Sequence, residues 1–238
     1  FSKKNLINFL ITFIPISYIA GNLILNINIL ILTIVVLFNY RKEIPKFKIE
    51  FIDKFLIIIF LYITLNGIYN NFFNYDFTNE EQQNKILIKS LLYVRFLIFY
   101  YALRLIIYLK LINYKLLFLV FGSVSLFVSA DLVIQYFLGY NLFGFEGSGR
   151  RLPGIFKNEY IAGSFIQRFS FFAIFYILLF SIFKNKVKFT LVVLFMLILI
   201  LVSLVFAGNR IPLIMFIFGL TLIMLFKKEV RKIFIFLL

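Results

Sequence analysis

The 238-residue sequence contains no cysteine, no histidine and no tryptophan, and only 10 of its side chains are acidic. Without cysteine there is no disulfide bond and no thiolate site. Without histidine the chain lacks the commonest metal ligand and the side chain that most often acts as a base near neutral pH. No Asp-x-Asp pair occurs either, which argues against a metal-bound nucleotide-sugar site. We therefore expect no metal and no cofactor, and any chemistry that needs histidine must come from outside these residues.

Continuous apolar runs dominate what is present. Hydrophobic residues make up 63% of the chain and the mean hydropathy is +1.02, whereas about 45–50% is usual for a soluble globular protein. Runs of roughly 15–22 apolar residues are long enough to cross a bilayer as helices, and their continuity excludes the alternating pattern of a membrane β-barrel. We predict an all-α, polytopic transmembrane helix bundle that forms a single domain over 1–238. The predicted spans lie near 6–20, 23–39, 55–72, 87–108, 116–137, 160–183, 189–206 and 212–226, with a ninth beginning at Ile233.

The charge pattern predicts an orientation in the membrane. A formal net charge of +15 would indicate nucleic acid in a soluble protein, but here most cations lie in short runs between apolar stretches, so we expect no nucleic-acid partner. Cytoplasmic loops are enriched in Lys and Arg, and this rule places the N-terminus in the cytoplasm. Since the chain starts without Met and ends in a short apolar run, we interpret it as a fragment of a longer membrane protein. The loops predicted on the opposite, outer side are 21–22, 73–86, 138–159 and 207–211.

Arginine is concentrated away from the predicted cytoplasmic loops. Among the arginines, only Arg41 and Arg231 are predicted to be cytoplasmic. Lysine is sufficient to set the orientation of the chain in the membrane, so the use of arginine elsewhere suggests a different role. The guanidinium group is a planar fork that binds phosphate or carboxylate through two hydrogen bonds. This distribution predicts an anion site at the outer face, with structural ion pairs as the alternative. The cations outside the predicted cytoplasmic loops are Lys85, Lys89, Arg95, Arg104, Arg150, Arg151, Lys157, Arg168 and Arg210.

Three ionisable residues share one predicted depth within the spans. Arg95, Asp131 and Arg168 each lie about six to eight residues below the outer end of a span, which is roughly 9–12 Å at 1.5 Å per residue. Because charged groups in a bilayer are costly, they usually pair or line a hydrated cavity. We expect Asp131 to pair with Arg168 or Arg95, either at the site or as a purely structural ion pair. Arg104 lies near the inner end of its span, and we expect it to reach lipid phosphates.

The predicted outer loop 138–159 combines glycine with positive charge. Glycine lets the backbone come close to a ligand, and the cations supply the charge that phosphate needs. The segment is not a P-loop, because no Gly-Lys-Ser/Thr follows. The next helix is predicted to begin near 158–160, where its N-terminus adds positive potential. The residues concerned are Gly147, Gly149, Gly154, Arg150, Arg151 and Lys157.

The second outer segment, the turn 207–211, joins two predicted spans with almost no loop. Pro212 suits the first turn of the helix that follows. The turn therefore directs Arg210 toward the same outer face as Arg151.

Three segments resemble a known family: Gln135 to Gly144 before the outer loop, Arg151 to Asn158 where the next helix opens, and the turn Gly208-Asn209-Arg210. Together they are similar to the O-antigen ligase and O-antigen polymerase superfamily of bacterial envelope glycosyltransferases. The resemblance covers roughly Leu126 to Leu220, and the rest of the chain by topology only. Asn209 departs from the family pattern, which usually has Ser there.

The resemblance implies transfer of a glycan from an undecaprenyl pyrophosphate carrier to lipid A core or to a growing polysaccharide. The reaction would occur at the periplasmic face of the bacterial inner membrane, without a metal or a nucleotide sugar, and membrane lipids would surround it. Catalytic residues are unknown, since the family's histidine would follow after further spans. Glu146 and Glu159 are only weak candidates for a general base, and the fragment alone should be inactive. The predicted pyrophosphate-binding residues are Arg151 and Arg210, then Arg150 and Arg168, with Asp131, Arg95, Gly154 and Lys157 in support.

Two other functions fit the same residues. A transporter or flippase of an anionic lipid-linked solute also places charges within helices, but it predicts a charged path that continues to the inner face. A structural or assembly subunit uses ion pairs only to orient helices, and it predicts that Arg151→Lys and Arg210→Lys are harmless. These residues do not separate ligase from polymerase, and they do not identify the sugar, the acceptor or the oligomeric state.

Overall fold

The computed structural model describes residues 2–44, 48–72, 80–147, 149–157, 159–180 and 186–226. Their regular structure is helical, apart from one isolated β-bridge between Tyr140 and Glu146. The chain forms two compact units: the first contains residues 1–11 and 22–112, and the second contains residues 12–21 and 113–238. The single transmembrane domain over 1–238 stays a prediction.

Six helices in the described residues are long and apolar enough to cross a membrane: α3, α4, α5 from Asn84, α6, α7, and α8 from Val187. This confirms a helical chain with membrane-spanning segments, while the exact number of spans and the orientation stay predictions. The α-helices are α1 (Lys3–Thr12), α2 (Ile14–Ala20), α3 (Asn22–Asn39), α4 (Phe51–Phe72), α5 (Glu80–Tyr108), α6 (Tyr114–Leu138), α7 (Ala162–Phe180), α8 (Lys186–Phe206) and α9 (Arg210–Phe226).

The first predicted span, 6–20, is not one helix. It breaks at Phe13 into α1 and α2, because Pro15 lies at the start of α2, where its missing N–H and its ring interrupt a continuous helix. The predicted span 212–226 corresponds to α9, which has 17 residues and carries Pro212 in its first turn, as expected. The ninth span, predicted from Ile233, lies outside the described residues.

Two helix starts change the bounds of the predicted outer loops. α5 begins at Glu80, within the predicted loop 73–86, because Glu and Gln form helices readily and acidic residues favour a helix N-terminus. Residues 73–79 of that loop lie outside the described residues. α7 begins at Ala162 and not near 158–160, since the chain first makes a short 3-10 helix at Gly154–Phe156.

An ion-pair cluster joins α4 to α5 in the first unit. Asp53, in the first turn of α4, is fully buried and pairs with Arg104 of α5. Nη2 of Arg104 also lies 2.8 Å from Oε1 of Glu50, and the hydroxyl of Tyr100 donates to Oδ1 of Asp53 at 2.9 Å. The expectation that Arg104 reaches lipid phosphates is therefore wrong, because the start of α4 brings two carboxylates to it.

In the second unit, α6 packs on α7 and α8. A Cβ on Gly122 of α6 would lie 2.6 Å from Cα of Ala173 of α7, and small residues allow helix backbones to approach this closely. An apolar core between these helices and α9 holds the segments that carry the site. Its most deeply buried members include Val128, Leu132, Phe165, Ile166, Leu197, Ile200, Leu204 and Phe216.

Candidate anion site

A compact hairpin, residues 139–147, follows α6. Gly139 takes a left-handed conformation (φ +80°) that ends the helix, and its N–H donates to the backbone oxygen of Gln135 at 2.9 Å. The chain then turns back, so that Gly147 N–H donates to Gly139 O at 2.9 Å and Asn141 N–H donates to Phe145 O at 3.0 Å. The hairpin therefore lies over the end of α6 instead of extending away from it.

Asp131 is a buried support for this hairpin. Its Oδ1 accepts a hydrogen bond from the backbone N–H of Leu142 at 3.0 Å, and its Oδ2 accepts one from Nδ2 of Asn141 at 3.3 Å. The Oδ1 of Asn141 in turn accepts hydrogen bonds from the backbone N–H groups of Phe143 and Phe145. The predicted ion pair of Asp131 with Arg168 or Arg95 is therefore wrong, because in the described residues the carboxylate accepts hydrogen bonds from neutral donors of the returning hairpin.

Gln135, one turn further along α6, connects the hairpin to the loop that follows. Its side chain is buried, and its Nε2 donates to Phe145 O at 3.1 Å while its Oε1 accepts from the N–H of Gly154 at 2.9 Å. Gly154 has φ +59°, and a Cβ there would lie 3.3 Å from Cδ2 of Leu132. Gly154 is predicted to bring the backbone close to a ligand, whereas in the structure its backbone lies close to α6.

The turn before α9 places the loop arginines. Gly208 has φ +68°, and a Cβ there would lie 2.5 Å from the backbone oxygen of Arg150 and 2.7 Å from Cγ of Arg151. Only glycine fits this approach. Nearby, the N–H of Leu152 donates to Phe206 O at 3.3 Å. Arg150 and Arg151 are therefore packed directly against the turn that leads to α9.

The same turn is tied to the start of α7. Nδ2 of Asn209 donates to the backbone oxygen of Tyr160 at 2.8 Å. A Cβ on Gly163 would lie 3.0 Å from Cβ of Ala207, so α7 begins in close contact with the turn. The result is that Arg210 is held near the first turns of α7.

All four predicted arginines line one cavity of about 890 Å³, which we call the arginine cavity. Arg150 and Arg151 come from the loop, Arg168 comes from α7 and Arg210 begins α9. The structure therefore brings together three segments that are separate in sequence, while their binding of pyrophosphate stays a prediction. The other lining residues are Ser164, Gln167, Gly208, Asn209, Ile211, Pro212 and Met215.

The arginine cavity is strongly positive. All four arginine side chains are exposed, and within the described part of the chain none of their guanidinium groups has a carboxylate within 4 Å. A cleft lined by charge of one sign focuses potential and attracts the opposite charge. The N-termini of α7 and α9 both lie at this cavity, and their dipoles favour an anion there as well.

The other predicted site residues lie elsewhere. The Nζ of Lys157 lies 5.5 Å from the ring centroid of Phe145. Arg95 belongs to the first unit. Neither Glu146 nor Glu159 is among the described residues that line the arginine cavity.

Sequence reasoning missed two polar residues at the cavity, Ser164 and Gln167. Both lie on α7, where Ser164 is three residues before Gln167 and four before Arg168, so Ser164 lies on the same helix face as each of them. That spacing is a signal the sequence contains, but it requires knowing where α7 begins. In the sequence Asn209 stands out only as a departure from the family pattern, and its hydrogen bond to Tyr160 is visible only in three dimensions.

Comparisons with protein-family models, with curated proteins and with solved structures found no match to this chain.

Proposed function

We propose that this chain belongs to a membrane glycosyltransferase of the O-antigen ligase or polymerase type, and that the arginine cavity binds the pyrophosphate of its lipid-linked donor. The observation that supports this most is the convergence of four arginines from three segments on one cavity, with no described carboxylate within 4 Å of them. Such an excess of positive charge is suited to a ligand with several negative charges.

The proposed reaction breaks the bond between the first sugar and the pyrophosphate. An acceptor hydroxyl on lipid A core or on a growing polysaccharide forms the new glycosidic bond and loses its proton, and undecaprenyl pyrophosphate leaves. Negative charge develops on the leaving oxygen, and positioned guanidinium groups stabilise it without a metal. The base that accepts the proton is not assigned to any residue of this chain.

The lining of the arginine cavity also fits an amphiphilic donor. Ser164 and Gln167 present hydrogen-bonding groups beside Arg168, whereas Ile211 and Met215 present apolar surface beside Arg210. Polar groups suit a sugar, and the apolar side chains suit the start of a hydrocarbon chain. A volume of about 890 Å³ leaves room for both beside the phosphates.

Binding is tested first on the purified protein in detergent, with inorganic pyrophosphate as the probe. We expect pyrophosphate to raise the thermal unfolding midpoint of the unmodified chain, because a ligand that binds only the folded state stabilises it. Arg151→Lys and Arg210→Lys should reduce that increase, since lysine keeps the charge but loses the two-pronged hydrogen bonding. Arg41→Lys is the matched control, because Arg41 is exposed in the turn after α3 and does not line the arginine cavity. Equal increases in all four proteins would contradict the proposed site.

Activity is tested by introducing the same substitutions into the full-length gene and expressing it in a host that lacks its own copy. With membrane abundance unchanged, Arg151→Lys and Arg210→Lys should abolish glycan transfer, which gel analysis of surface glycans detects. Unattached chains would indicate a ligase, and unpolymerised units would indicate a polymerase. If the lipid-linked glycan instead accumulates on the cytoplasmic side, the chain is a transporter or flippase and the enzyme proposal fails.

A further inference from the structure

A groove on the first unit runs between α3 and α5. Its volume is about 380 Å³, within the range of small-molecule sites, and most of its lining is aliphatic. It follows α3 over twelve residues, from Asn26 to Leu37, a rise of about 16 Å at 1.5 Å per residue. The groove is therefore shaped for a length of hydrocarbon chain. Its lining residues are Asn26, Ile27, Ile29, Leu30, Thr33, Ile34, Leu37, Arg95 and Ile98.

Arg95 is the one cation among the described residues that line this groove. Its side chain is exposed, and its guanidinium carbon lies 4.8 Å from the ring centroid of Phe96. In the described part of the chain no carboxylate lies within 4 Å of it. A guanidinium within a helix of spanning length needs a counter-charge or water, because hydrocarbon solvates it poorly.

The position of Arg95 on α5 brings it within reach of lipid headgroups. It lies six residues after Lys89, a distance of about 9 Å along the helix. Because the Cα–Cβ bonds of a helix tilt toward its N-terminus, an arginine at this position can extend its guanidinium toward the end that carries Lys85 and Lys89. A lipid phosphate at that end can meet Arg95 while its hydrocarbon chain lies along α3.

We propose that this groove binds an anionic phospholipid, with the phosphate at Arg95 and one acyl chain against Ile27, Leu30 and Ile34. A guanidinium with no carboxylate within 4 Å in the described residues favours a headgroup with net negative charge over a zwitterionic one, in which choline already balances the phosphate. The site lies on the first unit and does not depend on the function proposed for the arginine cavity.

The absence of tryptophan from the whole chain allows a direct test. Ile34→Trp introduces a single fluorophore into the groove, where this side chain is 46% exposed. Ile58→Trp introduces the control fluorophore on α4, at a position that is 63% exposed and does not line the groove. Each variant is reconstituted in phosphatidylcholine vesicles, and brominated phosphatidylglycerol or brominated phosphatidylcholine is added as the quencher.

We expect brominated phosphatidylglycerol to quench the Ile34→Trp protein at about one fifth of the mole fraction that brominated phosphatidylcholine requires, which is the preference expected from one cation near an anionic headgroup. Adding Arg95→Gln should remove the preference. Adding Lys54→Gln should leave it, because Lys54 is an exposed cation in the first turn of α4 and does not line the groove. The Ile58→Trp protein should be quenched equally by both lipids.

Two results would overturn the proposal. Equal quenching of the Ile34→Trp protein by the two lipids would mean that hydrocarbon fills the groove without regard to headgroup. No quenching by either lipid, with normal quenching of the Ile58→Trp protein, would mean that protein covers the groove.

Discussion

The side-chain amide of Asn209 donates a hydrogen bond of 2.8 Å to the backbone carbonyl of Tyr160, 49 residues earlier in the chain. Asn209 immediately precedes Arg210 at the start of α9, and Tyr160 lies just before α7, the helix that carries Arg168. This bond therefore sets the position of two arginines that belong to different helices.

Replacing Asn209 by alanine tests this link. We expect Asn209→Ala to lower the free energy of unfolding by about 1 kcal/mol, the usual contribution of one hydrogen bond, and to weaken pyrophosphate binding because Arg210 loses its fixed position. The matched control is Asn39→Ala, since Nδ2 of Asn39 donates to Val35 O within α3 at 2.7 Å. If Asn209→Ala binds pyrophosphate as well as Asn39→Ala in thermal-shift titrations, the bond has no role in positioning.

Gly208 is expected to be the least replaceable glycine of the site. Gly208→Ala should cost about 1–2 kcal/mol for its left-handed backbone and a further amount of about 1–3 kcal/mol for the clash with the backbone of Arg150. Gly144→Ala is the control, because Gly144 has a similar φ of +79° but nothing lies within 4 Å of its added Cβ. Chemical unfolding in detergent should separate the two variants, and equal losses of stability would show that the contact with Arg150 is not rigid.

Substitution of Asp131 distinguishes a loop support from a buried ion pair. In Asp131→Asn the side-chain oxygen can still accept the hydrogen bond from the N–H of Leu142, but the new NH₂ group faces Nδ2 of Asn141 and cannot accept its hydrogen bond. We therefore expect the free energy of unfolding to fall by about 1 kcal/mol. Breaking a buried ion pair with an arginine would cost about 3–5 kcal/mol. Chemical unfolding measures the difference. A loss in the higher range would show that Asp131 has a cationic partner after all.

The cluster around Asp53 should stabilise the packing of α4 on α5. Asp53→Asn removes the fully buried negative charge that pairs with Arg104, and we expect the free energy of unfolding to fall by about 3 kcal/mol. Glu50→Gln should cost less than about 1 kcal/mol, because the Glu50 side chain is 67% exposed and its ion pair is weakened by solvent. Comparable losses for the two variants would mean that Arg104 depends equally on both carboxylates.

Much of the helical framework was predictable because run length and apolar composition are local properties. The spans near 23–39 and 116–137 correspond closely to α3 and α6. The turn predicted at 207–211 is shorter in the structure, where only 207–209 lie between α8 and α9, and Pro212 is in the first turn of α9 as expected. The predicted span 6–20 is wrong for a local reason as well: its apolar run predicts one helix, but Pro15 within the run interrupts it.

The partners of the ionisable side chains were not predictable in the same way. Depth along a span predicts that Asp131 pairs with Arg168 or Arg95, but depth carries no information about the hairpin that returns to α6 and brings Asn141 and Leu142 to the carboxylate. Arg104 was expected to reach lipid for a similar reason: the carboxylates that hold it lie about fifty residues earlier in the chain.

Composition and the length of the apolar runs are enough to show that the chain is helical and apolar, where most of its helices lie, and that arginines cluster in the loop after α6 and in the turn before α9. These features are local, since each helix satisfies its own backbone hydrogen bonds. The shared cavity of Arg150, Arg151, Arg168 and Arg210 exists only in the folded chain. That convergence depends on contacts between distant segments, such as Gly208 against Arg150 and Asn209 with Tyr160, and no local pattern specifies which segments meet.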